Sequence, residues 1–199
     1  MKLSSSVSLY RSIIAGLWLL FLVYWAVAAV GAKRNASRPR WRREIGLRLV
    51  VILPIVALLQ SQSLRQFLAE TQRSVSHSDI LGWTGVVLCL LGISLAINAR
   101  RHLGRNWGLP MSHKEQPELV TSGPYALIRH PIYTGLILAM LGSAIGVNIS
   151  WALMLVPVGA YFIYSARREE AVMLQQFPEQ YAAYMARTGM LAPRLFGRR

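Results

Sequence analysis

Apolar residues fall along this chain in long blocks, and the polar positions between them divide it. Residues 13–30 run for eighteen positions without a charge, enough to cross most of a hydrocarbon core roughly 30 Å thick. The run is long for a signal peptide and shows no small-residue cleavage site before the basic cluster that follows, so a retained span is expected. Residues 49–64 repeat the pattern less cleanly, with Arg48 at the border and Pro54 inside. A proline-kinked helix is tolerated in lipid where neighbours satisfy the freed carbonyl. Residues 80–99 add twenty uncharged positions with glycines at 82, 85 and 92, which would let a second helix approach closely. Residues 131–166 are uncharged over thirty-six positions, and as one helix would measure ~54 Å, too long for the core. Gly146, Val147 and Asn148 break this last run near its centre, so two antiparallel spans joined by a tight turn are predicted.

The pattern therefore predicts an all-α integral membrane protein with about five transmembrane helices, forming a single domain over residues 1–199. A cytoplasmic loop (100–130) and a C-terminal tail (167–199) lie beyond the spans. In the tail, Leu174, Phe177, Tyr181, Tyr184 and Met185 fall at spacings of three and four, an amphipathic helical pattern. Pro178 is placed to start a second helical piece, with Glu179 in its first turn. A helix lying on the membrane surface accounts for such a tail.

Composition agrees with the pattern: of 199 residues 54% are apolar and 15% charged. The net charge of +14 would suit nucleic acid, but its location argues otherwise. Residues 32–44 hold six basic side chains, and 100–129 and the tail are basic again. The loop after the second run instead balances Arg65 and Arg73 with Glu70 and Asp79. Excess Lys and Arg marks cytoplasmic loops, so the amino terminus is expected outside and the carboxyl tail inside, with the surplus charge attracted to anionic headgroups. No basic-aromatic recognition module is visible, and no nucleic-acid partner is expected. Cys89 is the single cysteine, which excludes an internal disulfide and a Cys-rich metal site. In mid-run it reads as a buried small hydrophobe. His77, His102 and His113 have no ligand spacing, and no metal is expected.

Candidate chemistry concentrates in "LVTSGPYALIRHPIYTG" (119–135) and "RREEAVMLQQFPEQYAAY" (167–184). Together with "ARRHLGRNWG" (99–108), these stretches resemble the isoprenylcysteine carboxyl methyltransferases, part of a wider set of membrane methyltransferases that includes phospholipid N-methyltransferases. The resemblance covers about residues 80–195; residues 1–79, with two less characteristic spans, carry no signature. It implies transfer of a methyl group from S-adenosylmethionine to a lipid-like or prenylated small-molecule acceptor, with S-adenosylhomocysteine as product. It also implies that Glu118, Leu119, Val120, Tyr125, His130, Pro131, Ile132, Tyr133 and Glu169 hold the cofactor. Arg129, Arg167 and Arg168 are the guanidinium candidates for the catalytic step. The short chain has a bacterial look, which points to a plasma membrane.

The residue types suit that chemistry. Tyr125, Tyr133 or Trp107 can attract a desolvated cation through the ring face, worth up to about 2 kcal/mol. A Glu169 carboxylate can pair with an ammonium, and His130 or Arg129 can hold a carboxylate. Gly123 would let the 121–123 backbone approach a ligand closely. Each residue also has a plainer role: the tyrosines as an interfacial belt, Arg129 as positive-inside charge, His130 as a structural residue, and Glu169 with Glu170 as the start of a surface helix. One departure concerns the acceptor. Where the prenylcysteine enzymes are implied to use an arginine four residues before the cofactor glutamate, this chain has Ser165, so carboxylate O-methylation and amine N-methylation both stay open. Membrane sterol reductases, which use a nicotinamide dinucleotide phosphate, resemble the Tyr and Arg-His-Pro-x-Tyr elements as well. A non-enzymatic membrane subunit would explain the spans and basic loops but not the 119–135 and 169 constellation.

Overall fold

Helix α1 (Lys2–Val30) and helix α2 (Asp79–Leu103) run side by side in the same direction. The near end is fixed where the Tyr10 hydroxyl donates to Asp79 Oδ1 at 2.8 Å and Ser78 caps the α2 amino terminus by accepting from the Leu81 amide. At the far end the buried Arg100 guanidinium donates to the carbonyls of Ala28 at 2.5 Å and Gly104 at 2.6 Å. One side chain thereby satisfies carbonyls that the ends of two helices would leave without partners. Helices α3 (Pro131–Gly146) and α4 (Ser150–Gln176) follow, then α5 (Pro178–Arg187). A 3-10 turn, Gly123–Ala126, precedes α3. The computed structural model describes residues 2–30, 61, 62, 66, 70, 78–104, 119–148 and 150–194. Among these there is no sheet, only an isolated parallel bridge between Ile128 and Gly189.

The tightest contact is the antiparallel seam between α2 and α3. Gly85 lies against Gly146, Cys89 against Gly142, Gly92 against Ala139 and Gly135, and Ala96 against Gly135. A Cβ added to Gly85 would stand 2.5 Å from the Gly146 Cα, and one on Gly135 2.5 Å from the Gly92 carbonyl oxygen. In lipid there is no hydrophobic gain from joining two apolar helices, so close backbone approach across small residues supplies dispersion contact instead. Cys89 is fully buried in this seam, as a small hydrophobe would be. Helix α1 packs Tyr10, Ile14 and Phe21 onto its flank, and Trp18 donates to Ser143 Oγ at 3.0 Å while stacking on Trp151 of α4.

Among the described residues two helices, through Leu9–Ala28 and Asp79–Leu103, are long and apolar enough to cross a membrane, and Pro131–Gly146 is a shorter apolar helix. The 131–166 run does break where expected, with α3 ending at Gly146 and Val147 capping it. Helix α4 then continues ten residues past that run, to Gln176. The expected span at 49–64 lies, apart from residues 61 and 62, outside the described residues. The helix ends on either side of it, Val30 and Asp79, stand at opposite ends of the α1–α2 pair. Pro178 does open the last helix, but α5 does more than lie on a surface: Tyr181 and Tyr184 are buried against the protein.

Candidate functional site

Four segments converge where α2 ends, α3 begins and α4 leaves the apolar layer. Gly123 takes a φ of 58°, which suits glycine alone, and lies against the His102 ring at the end of α2. The turn it starts buries Tyr125. After Pro131 opens α3, His130 and Tyr133 stack with ring centroids 5.6 Å apart, and Tyr133 stacks in turn on Phe162 of α4 at 4.6 Å. About two helical turns beyond Phe162, the adjacent glutamates of α4 face these rings. The Tyr133 hydroxyl donates to Glu169 Oε1 at 2.5 Å. His130 lies between the carboxylates, its Nδ1 3.6 Å from Glu169 Oε2 and its Nε2 3.2 Å from Glu170 Oε1. Arg129 Nε donates to the same Glu170 oxygen at 2.6 Å.

The tail closes this cluster from the other side. Backbone amides of Arg129 and His130 donate to the carbonyls of Gly189 and Met190 at 2.9 and 3.0 Å. Thr134 Oγ1 donates to the Leu191 carbonyl at 2.7 Å, and the Tyr184 hydroxyl to the Tyr125 carbonyl at 2.6 Å. Arg129 Nη1 adds a bond to the Thr188 carbonyl at 2.5 Å.

Electrostatics follow from this geometry. Burial works against a charged His130, but the nearby carboxylates of Glu169 and Glu170, the second within hydrogen-bond distance, outweigh it and hold the imidazole above its ordinary value. Burial would likewise raise the Glu170 carboxyl, yet the bonds from His130 and Arg129 hold it below the ordinary value. Burial pushes the Tyr125 and Tyr181 phenols up, and Tyr184 to about 12. The two carboxylates are not equivalent: the Glu169 side chain is 28% exposed and that of Glu170 7%. Glu169 can receive a ligand; Glu170 is enclosed.

Of the sequence candidates, Tyr125, His130, Pro131, Tyr133 and Glu169 come together here, with Ile132 half-buried beside them and Leu119 and Val120 half-buried before the turn. Glu118 and Trp107 lie outside the described residues. Arg129 is present but committed to Glu170 and the tail carbonyls. Arg167 and Arg168 are exposed on α4. Ser165, one turn before Glu169, is fully buried, and its hydroxyl has no partner among the described residues. Sequence reasoning did not single out Phe162, Glu170 or the 188–191 strap as parts of the site. The glutamate pair was a usable signal for Glu170, whereas nothing in the local pattern marks the strap. Among the described residues no group of three or more His, Cys, Asp or Glu side chains is placed to hold a metal ion.

Among the described residues the elements are helical throughout, with a charged, aromatic-lined cluster at one end. A family model described as phospholipid methyltransferase matches residues 80–180, a stretch that takes in α2, the turn, α3, α4 and both glutamates, and the chain belongs to that family. It is also similar to the cobalt-zinc-cadmium resistance protein CzcN of Cupriavidus metallidurans, at 35% identity over 113 residues, 55% of this chain and 50% of the relative. A second relative is the nickel-cobalt-cadmium resistance protein NccN of Alcaligenes xylosoxydans xylosoxydans, at 34% identity over 162 residues, 77% of this chain and 66% of the relative. The matched part of the chain thus spans between half and two thirds of the length of these curated relatives.

Proposed function

We propose that the protein transfers the methyl group of S-adenosylmethionine to a lipophilic acceptor at the cytoplasmic face of the membrane. The observation that carries this reading is the grouping of Glu169, His130 and Tyr133. Glu169 Oε1 is held by Tyr133, while Oε2 stands 3.6 Å from His130 Nδ1, longer than a hydrogen bond. A loosely separated carboxylate and imidazolium complement the ammonium and carboxylate of an amino-acid end, each gaining a charge-assisted bond. The stacked rings of His130, Tyr133 and Phe162 offer faces to a flat base or a cation. When bound, the cofactor supplies an electrophilic methyl on a sulfonium.

The chain's own residues have little proton chemistry to perform. Methyl transfer is an in-line displacement, so alignment and exclusion of water dominate. Tyr133 fixes the Glu169 carboxylate, and the strap shuts out solvent on the tail side. The charge lost from the sulfonium favours a pocket of modest polarity such as the Phe162–Tyr133 wall. An apolar acceptor would arrive laterally between α3 and α4. With Ser165 in place of an arginine, no guanidinium stands at that position to pair with an acceptor carboxylate, which favours a lipid amine. An amine must be uncharged to attack, and desolvation near the hydrocarbon edge lowers its proton affinity.

Calorimetry on detergent-purified protein tests the reading: S-adenosylhomocysteine should bind at micromolar levels and a nicotinamide dinucleotide phosphate should not. Dinucleotide binding alone would establish a reductase, and binding of neither would return the chain to a non-enzymatic role. Labelled-methyl incorporation into whole lipid extract then identifies the acceptor.

A further inference from the structure

Removal from water disfavours the charged form of an imidazole, so a buried histidine is ordinarily neutral. His130 stands where neutrality fits badly. A neutral ring bears one N–H and one lone pair, and here a carboxylate oxygen faces each nitrogen, at 3.6 Å on the Glu169 side and 3.2 Å on the Glu170 side. Either neutral tautomer sets a lone pair against an anion; only the imidazolium offers a proton to both. Glu170 cannot turn away, because Arg129 grips the same oxygen at 2.6 Å and both side chains are buried. Arg129 is fixed in turn by the carbonyls of Thr188 and Met185.

We propose that Glu170, anchored by Arg129, is a positioning residue that keeps His130 protonated with Nδ1–H turned toward Glu169, so that the pair is preset to receive the amino-acid end of the methyl donor. The proposal rests on the donor pocket described above. Glu170 touches no ligand in this arrangement and acts only through His130. The other groups around the imidazole leave that role to Glu170. Glu169 is the ligand-facing partner from α4, Tyr133 stacks from α3, and Arg129 precedes the ring in the chain. The Tyr181 phenol of α5 and the Tyr125 phenol of the turn are pushed up by burial, so neither titrates alongside the histidine. With the Glu170 charge removed, Glu169 alone would oppose burial, and His130 would lose its proton at lower pH than in the wild type.

The test is the pH dependence of S-adenosylhomocysteine binding by the full-length protein and E170Q, across the ordinary imidazole value near 6.5. The wild type should bind evenly from about pH 6 to about pH 8, while E170Q should bind comparably at the acid end and weaken by about tenfold or more toward the alkaline end. E170D should restore the even profile. A loss in E170Q that is equal at all pH values would mark Glu170 as merely structural and overturn the proposal. The histidine NMR spectrum of the wild type, with the His130 signal assigned by its loss in H130Q, decides the charge without any variant at 170. An imidazolium at neutral pH supports the assignment, and a neutral ring overturns it. Because that spectrum needs no ligand, failure of the wild type to bind the product overturns the donor pocket separately.

Discussion

The two ends of α3 are held by opposite means. Toward its carboxyl end the helix meets α2 through Gly142 and Gly146, with backbones touching. At its amino end it is fixed by Arg129, His130, Glu169, Glu170 and the carbonyls of residues 188–191. The seam is rigid because small residues leave nothing to rearrange. The charged end is rigid only while every partner is present, since a buried ion that loses its counter-charge costs about 3–5 kcal/mol. A binding site belongs at the second kind of end: the seam has no group left to offer, whereas Glu169 keeps one oxygen loosely engaged.

The largest effect is expected where that contrast is attacked in the seam. Gly92→Leu drives a side chain into the backbone of Ala139 and Gly135; with overpacking typically costing about 1–3 kcal/mol even where side chains can yield, no folded population should survive detergent extraction, as size-exclusion chromatography would reveal. Recovery of a monodisperse, ligand-binding G92L protein would mean that the seam is looser than its geometry implies.

At the charged end the fold should persist while binding fails. Glu169→Gln removes a charge-assisted bond worth about 1.5–3 kcal/mol, so S-adenosylhomocysteine affinity should drop by roughly 10–150-fold, with the unfolding midpoint little changed. Calorimetry and a thermal melt on the same preparation separate the two effects. A stability loss matching the affinity loss would make Glu169 another structural member of the cluster.

The third expectation concerns pH and the ligand-free protein. His130 is held above its ordinary 6.5, so the stability it contributes is complete below 6.5 and is lost as pH rises through the raised folded value. Glu170 is held below its ordinary 4.5, so its contribution is complete above 4.5 and is lost as pH falls through the lowered folded value. The melting midpoint should therefore form a plateau between those two ordinary values and decline on both sides, and H130Q should flatten the alkaline decline. The seam contributes no such dependence, so a wild-type midpoint that ignores pH would place the fold's stability in the seam alone.

The smallest effect is expected from the exposed pair. Arg167→Ala with Arg168→Ala should leave cofactor affinity within about twofold and stability within about 0.5 kcal/mol, as for surface substitutions generally. If these guanidiniums meet the acceptor headgroup, the acceptor KM rises while the cofactor Kd stays fixed.

Much of this molecule can be read locally. The breaks at Gly146–Asn148 and Pro178 follow from backbone chemistry, and glycines 82, 85 and 92 announce a close neighbour because small residues in an apolar run have few other uses. The scarcity of acidic residues, eight in all, made the pair at 169 and 170 conspicuous, and the motif around His130 and Tyr133 pointed to the same pocket. What the chain could not disclose is how those two glutamates divide their work. Adjacent helical positions differ by about 100° in direction, and only the placement of α3 and the tail decides that Glu169 faces the opening while Glu170 is enclosed with Arg129.

Sequence by itself determined the helices, their breaks and the chemical types gathered at one end, since hydrophobic runs, proline, glycine and charge act within a few residues of themselves. Tertiary structure alone decided the partners: Arg129 with Glu170 across 41 residues, and Tyr184 with the Tyr125 carbonyl across 59. A hydrogen bond depends on distance and direction in space, and no periodicity along the chain encodes which distant donor will arrive.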